Sequence, residues 1–187
     1  LLNELFDFKP VTRSISYIIK IWNENAGSLM GNMRDELQNM LRPIGEEMID
    51  VAEKFRPQME KLTEQYGHAE QNVFLQERLK KAAAYFLAKV AERLETPLEN
   101  SGFETDNREV RKRISEALGR LETEIDVKKA CLESVNGGFS IKNYLETRAV
   151  AAIEKPAGKP RSQAAAVDVK HPEFYRKLLE WRRQKAR

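Results

Sequence analysis

Between Met33 and Tyr66 the apolar side chains recur in steps of three and four: Met33, Leu37, Met40, Leu41, Ile44, Met48, Val51, Phe55, Met59, Leu62 and Tyr66. Only an α-helix gathers such a series on one face, because a turn takes 3.6 residues, whereas a strand would scatter it over both faces. The spacing therefore predicts one long helical stripe. Pro43 and Pro57 lie within it, and each removes a backbone donor and disfavours helix at the residue before it. Kinks or breaks are expected at both. Met33, Met40, Met48 and Met59 could form an adaptable groove for a partner helix, but filling a core is the favoured role.

Other segments read the same way. Leu1, Leu2, Leu5, Phe6 and Phe8 can dock as a short segment before Pro10 interrupts, after which Thr12 can cap a helix carrying Ile15, Ile18, Ile19 and Trp22. Gly67 is expected to end the long stripe. A further helix from His68 to Leu94 would place Val73, Phe74, Leu79, Phe86, Leu87, Val90 and Leu94 on its apolar face. Ala82, Ala83 and Ala84 would let a neighbouring helix approach closely. Residues 95–105, with Pro97 and Gly102, read as a loop and a point of subdivision. Asp106, with Glu109 three residues on, has capping-box spacing ahead of Val110, Ile114, Leu118, Leu121, Ile125 and Leu132. Asn136, Gly137 and Gly138 stop that helix. Ser140 can cap the next, which carries Ile141, Tyr144, Leu145, Val150 and Ile153 until Pro156. With period-two alternation scarce, the fold class expected is all-α, an irregular multi-helix bundle spanning residues 1–154.

Residues 155–170 hold two prolines and little to bury, which predicts a basic linker. From His171 to Arg187, Phe174, Leu178 and Trp181 again share a stripe, with Pro172 in a first turn but no stop signal. The chain opens on Leu1 and Leu2, so it is expected to be a fragment ending in a truncated helix.

Several chemistries find no support. The lone Cys131 permits no internal disulfide, and its helical setting suits a packed thiol better than a nucleophile. The apolar runs are too short to span a membrane, and a cytoplasmic protein is expected. Gly158 and Lys159 fall short of a phosphate loop, since the first glycine of that motif would fall on Ile153 and Pro160 stands where a hydroxyl is needed. His68 and His171 have no ligand partners at metal spacing. Carboxylates such as Glu46, Glu47 and Glu122 suit solvated faces. No cofactor or metal is expected, and no acid, base and nucleophile set converges.

Charge is uneven. Residues 155–187 carry ten Lys and Arg against three Asp and Glu, which leaves the preceding body mildly acidic. Lys155, Lys159, Arg161, Lys170, Arg176, Lys177, Arg182, Arg183, Lys185 and Arg187 are interleaved with Phe174, Tyr175 and Trp181. Cations neutralise phosphates and aromatic faces stack on unpaired bases, so this tail is the leading candidate for nucleic-acid contact. The alternative is the solvated face of an incomplete domain. The turn Gly137-Gly138-Phe139-Ser140 also has a loose helix-turn-helix outline, with Lys142, Asn143 and Arg148 on the second helix.

The final segment resembles a known module. Phe174, Leu178, Trp181, Arg182 and Ala186 fit the first helix of an HRDC domain, the small helical module of helicases and RNase D. The stretches from Tyr17 to Ser28 and from Gly138 to Leu145 resemble the helical region preceding that module in bacterial superfamily 1 DNA helicases related to RecD. The resemblance implies a non-catalytic accessory region with the motor domains upstream. It also implies weak contact with single-stranded or forked DNA, or with other domains of the same enzyme, through Arg176, Lys177, Arg182 and Arg183. The alternative is a helical protein–protein or oligomerisation module built on the stripe from Met33 to Tyr66. Oligomeric state is left open.

Overall fold

A computed structural model describes residues 1–66 and 69–153. Its helices are α1 (Leu2–Leu5), α2 (Lys9–Glu24), α3 (Met33–Pro43), α4 (Asp50–Tyr66), α5 (Val73–Val90), α6 (Thr96–Glu99), α7 (Arg108–Glu133) and α8 (Ile141–Ile153). A 3-10 turn covers Ala26–Ser28, and π turns at Ile44–Ile49 and Ala91–Glu95 join α3 to α4 and α5 to α6. The fold is all-α, and the described residues contain no strand, only an isolated bridge between Met30 and Glu104. Gly67, His68, the linker 155–170 and the segment 171–187 lie outside the described residues.

The long stripe is interior. Met33, Leu37, Met40, Ile44, Met48 and Met59 are each at most 3% exposed, and Leu41, Val51, Phe55 and Leu62 pack partly buried against them. The four methionines therefore fill this chain's own core. Fully burying one such side chain is worth about 1.5–3 kcal/mol, so the stripe is a main source of stability.

Neither proline breaks the helix. After Pro43, the Ile44 N–H is shared between the carbonyls of Met40 and Leu41, and a π turn follows in which the Asp50 N–H reaches back to Gly45. The second π turn ends just before Pro97, where the Thr96 N–H and its hydroxyl both donate to Ala91. One extra residue per turn re-registers the ladder around the missing donor. Pro57 sits inside α4 without interrupting it. Helix consequently runs to Glu99, further than the loop expected over 95–105.

The N-terminal segment docks as expected. Leu5, Phe6 and Phe8 are buried, with Phe8 stacked on Phe86 at 5.3 Å and Phe6 edge-on to Phe55 at 5.5 Å. Pro10 does not interrupt, because it occupies the first turn of α2, where its missing N–H costs nothing. Thr12 is thus inside the helix, donating its hydroxyl to the Lys9 carbonyl at 2.9 Å. α2 packs along α7, fixed at its ends by Ser14 to Glu124 and by Arg113 to Glu24.

Helix starts are set by asparagines. Asn107, not Asp106, caps α7: its side-chain oxygen accepts from the Glu109 and Val110 N–H groups. Asn107→Ala is expected to lower stability by about 1 kcal/mol, read as a reduced urea midpoint with unchanged slope. Asn72, only 3% exposed, caps α5 through the Leu75 N–H and donates its amide to the Leu62 carbonyl near the end of α4. Ser140 occupies the start of α8 as expected, but the oxygen that accepts the Ile141 N–H belongs to Glu70.

A clasp ties the middle of the chain together. Met30 and Glu104 exchange backbone hydrogen bonds, and the Met33 N–H donates to the Gly102 carbonyl. Asn32 receives the Gly102 N–H and donates to the Asn100 carbonyl. Gln76 holds the α7–α8 turn in a similar way, bonding both the N–H and the carbonyl of Phe139. α8 is the least covered helix. Only Tyr144 is buried, while Leu145, Val150 and Ile153 are 45%, 50% and 79% exposed, contrary to an apolar face packed on the core.

Candidate nucleic-acid interface

Lys155, Lys159, Arg161, Lys170, Arg176, Lys177, Arg182 and Arg183 all lie outside the described residues, as do Lys185 and Arg187. Within the described residues, the surface is organised by how each helix distributes its charges.

The residues of the helix-turn-helix outline make contacts within the fold. Arg148 forms a 2.7 Å ion pair with Glu4, Asn143 donates to the Ser134 carbonyl, and Lys142 lies 3.9 Å from Glu146 one turn along α8. α8 packs on α7, and its cations are divided between these contacts.

Beside it is a cavity of about 370 Å³ lined by Glu4, Asp7, Glu124, Lys128, Cys131, Tyr144 and Arg148. Lys128 donates to the Glu4 carbonyl at 2.6 Å and lies 5.5 Å from the centre of the Phe8 ring, and burial pushes its pKa down. Burial likewise raises the Cys131 thiol and the Tyr144 phenol, which keeps both protonated. A thiol so placed is a poor nucleophile. The cations here face Glu4, Asp7 and Glu124, so the cavity carries no positive excess.

Several other cations are paired with carboxylates of neighbouring elements. Glu47 receives Lys89 at 2.5 Å and Arg93 at 2.9 Å; hydrogen bonds from these two hold its carboxyl below the usual range. Lys129 meets Glu95 at 2.7 Å, and that hydrogen bond raises the lysine. Lys9 meets Glu53 at 2.7 Å, which lowers the glutamate. These contacts tie helix to helix.

The seam between α4 and α5 carries both charged and aromatic side chains. Along α4 the exposed acids Glu53, Glu60 and Glu64 fall on one side, while Asp50, Lys54, Gln58, Lys61 and Gln65 fall on the other, at helical spacing. α5 presents Phe74, Arg78, Lys81 and Tyr85 on one exposed stripe. Between them runs a groove of about 670 Å³ lined by Gln58, Lys61, Leu62, Gln65, Phe74, Glu77, Arg78 and Lys81. Arg78 spans it to donate to the Gln58 side-chain oxygen at 3.2 Å. Lys61 and Lys81 make no ion pair among the described residues. Phe74, expected on the apolar face, is 61% exposed at the mouth of this groove. The signal for it was present in the sequence as a basic and aromatic series at steps of four and three, obscured by assigning Phe74 to the core.

Among the described residues, no group of three or more His, Cys, Asp or Glu is placed to hold a metal ion. No helix among them is long and apolar enough to cross a membrane. What the fold and surface define is a helical domain in which several ion pairs join one helix to another. The model of the DNA helicase middle-domain family matches residues 1–155, and the chain belongs to that family. No curated protein and no solved structure matches it.

Proposed function

We propose that this chain is a non-catalytic accessory region of an ATP-dependent DNA helicase, positioning nucleic acid or partner domains beside the motor through basic residues. The observation that carries the reading is the helicase middle-domain match over most of the chain. The parent is placed among bacterial superfamily 1 enzymes related to RecD, on the resemblance of the Tyr17–Ser28 and Gly138–Leu145 stretches. Residues 171–187 then open an HRDC-like module, joined to the body at 1–154 by the linker 155–170. The partners are single-stranded or forked DNA and the upstream motor domains, in the cytoplasm. The contact residues are Lys155, Lys159, Arg161, Lys170, Arg176, Lys177, Arg182 and Arg183, in the one segment with a strong positive excess.

Counterion release makes such contacts salt-sensitive, with a logarithmic slope of about 0.7 per neutralised phosphate on a single strand. The test is fluorescence anisotropy of labelled single-stranded and forked DNA at several salt concentrations, with the intact chain and with those eight cations changed to glutamine. Binding that weakens with salt, and a shallower slope in the neutralised chain, are expected. An intact chain that binds neither DNA at low salt would overturn the reading.

A further inference from the structure

We infer that the exposed apolar stripe of α8 is the docking site for this chain's own segment 171–187, with Phe174, Leu178 and Trp181 laid along Leu145, Ala149 and Ile153. The inference goes beyond the DNA-positioning reading and does not depend on it. Docking uses the apolar side of the segment and leaves Arg176 and Arg183, on the opposite side at helical spacing, for a polyanion.

Ile141, Leu145, Ala149 and Ile153 recur every four residues, which sets them in one line on α8, with Ala152 beside them. All five are exposed, while Tyr144 turns to the core from another side of the helix. At the start of α8 the line runs into a groove of about 440 Å³, whose walls include Leu1, Leu2, Phe139 and Ile141 together with the carboxylates Glu60 and Glu64. Single exposed apolar residues need no partner, but a line that continues into an apolar groove marks a contact surface.

Three features select the occupant. The first is reach: a coil the length of residues 154–170 spans about 20–25 Å, and α8 is about 20 Å long. A segment beginning at His171 can therefore return along the helix it follows, at an effective concentration on the order of millimolar. The second is pattern. Phe174, Leu178 and Trp181 fall on one helical face, and about 16 Å of helix from Phe174 to Lys185 matches about 18 Å from Ile153 to Ile141. Ala149 and Ala152 leave room for the Phe174 ring between Leu145 and Ile153. The third is charge. Antiparallel to α8, the segment carries Arg182 and Lys185 to the groove, where the charged side chains in the lining are Glu60 and Glu64.

The test is hydrogen exchange read by mass spectrometry on peptides covering 141–153 and 171–187, without DNA and at two protein concentrations. It compares the intact chain, the double change Leu145→Lys with Ile153→Lys, and Trp181→Ala. Both α8 positions are exposed, and lysine suits the last turn of a helix, so the body is expected to keep its urea midpoint. Trp181→Ala leaves the sequence of the body unchanged. Amides of 174–183 are expected to exchange at least about 10-fold more slowly in the intact chain than in either variant, the effect of losing one well-buried side chain. Exchange in 171–187 that is equally fast in all three chains overturns the docking. So does protection that survives the α8 double change, which would give Phe174, Leu178 and Trp181 a core of their own, as an HRDC-like module would. Protection that fades on dilution assigns the stripe to a second copy and overturns the proposal as well. Each of these results leaves the DNA anisotropy outcome untouched, so the accessory reading stands or falls separately.

Discussion

Leu37→Asp is expected to abolish the cooperative fold of the domain. Leu37 is fully buried on α3, in the stripe that runs from Met33 to Met59. Truncating a core leucine at such a site costs about 2–5 kcal/mol in lost contacts and cavity. An unpaired carboxylate there adds several kcal/mol of desolvation, or a strongly raised pKa that still leaves a buried polar group. Together these approach the roughly 5–15 kcal/mol that holds a typical domain together. A urea titration followed by far-ultraviolet circular dichroism should show no cooperative transition at room temperature. Gln38→Asp, one residue along on the exposed side, should stay within about 0.5 kcal/mol of wild type. A Leu37→Asp chain that kept its midpoint and lost only an association would show that the stripe serves a partner.

That stripe was also the most legible part of the sequence, and the reason is physical. Its spacing repeats over many turns, so one misplaced residue hardly alters the pattern. α5 was read less well. Its buried line is Leu75, Leu79, Ala83, Phe86, Val90 and, through the π turn, Leu94. Ala83 is buried as the alanine run suggested, but Leu75, fully buried at the start of the line, was not among the residues expected on the apolar face. Phe74 lies about 100° around the helix from Leu75, so hydrophobicity placed it inside while geometry places it at the groove. α8 shows the same limit: five apolar residues suggested a packed face, and the fold covers Tyr144 alone.

The prolines misled for a different reason. Proline penalties describe a regular α-helix, and the chain departs from that regularity at Ile44–Ile49 and Ala91–Glu95. Local sequence rules also could not foresee capping groups arriving from elsewhere, such as Glu70 on the Ile141 N–H or Gln76 on the Phe139 turn. The α4–α5 groove is legible only once two helices are known to be neighbours. Lys61 and Arg78 are far apart in sequence, and neither stripe alone outweighs the ordinary solvated face of a helix. The tail, by contrast, stands out by composition.

Gly31→Ala is expected to lower stability by about 2–6 kcal/mol, from backbone strain of about 1–3 and a lost buried hydrogen bond of similar size. Gly31 has φ +122°, a conformation that side chains with a Cβ rarely adopt, and a Cβ there would overlap the Gly102 carbonyl oxygen. That carbonyl accepts the Met33 N–H, so relief by movement would open the clasp at the start of α3. Gly27 supplies the control: no atom lies within 4 Å of its Cβ position and its φ is not positive. Gly27→Ala should be neutral or stabilising by up to about 1 kcal/mol. The clasp joins residues 29–33 to 100–104, which connects the first long helical run to the end of the second. Asn32→Ala removes two hydrogen bonds from the same clasp, so the double variant Gly31→Ala, Asn32→Ala should fall short of the sum of the singles. Strict additivity in urea midpoints, with Gly31→Ala matching Gly27→Ala, would mean that the two runs are held together by their packed helices alone and that the clasp contributes nothing to their cooperativity.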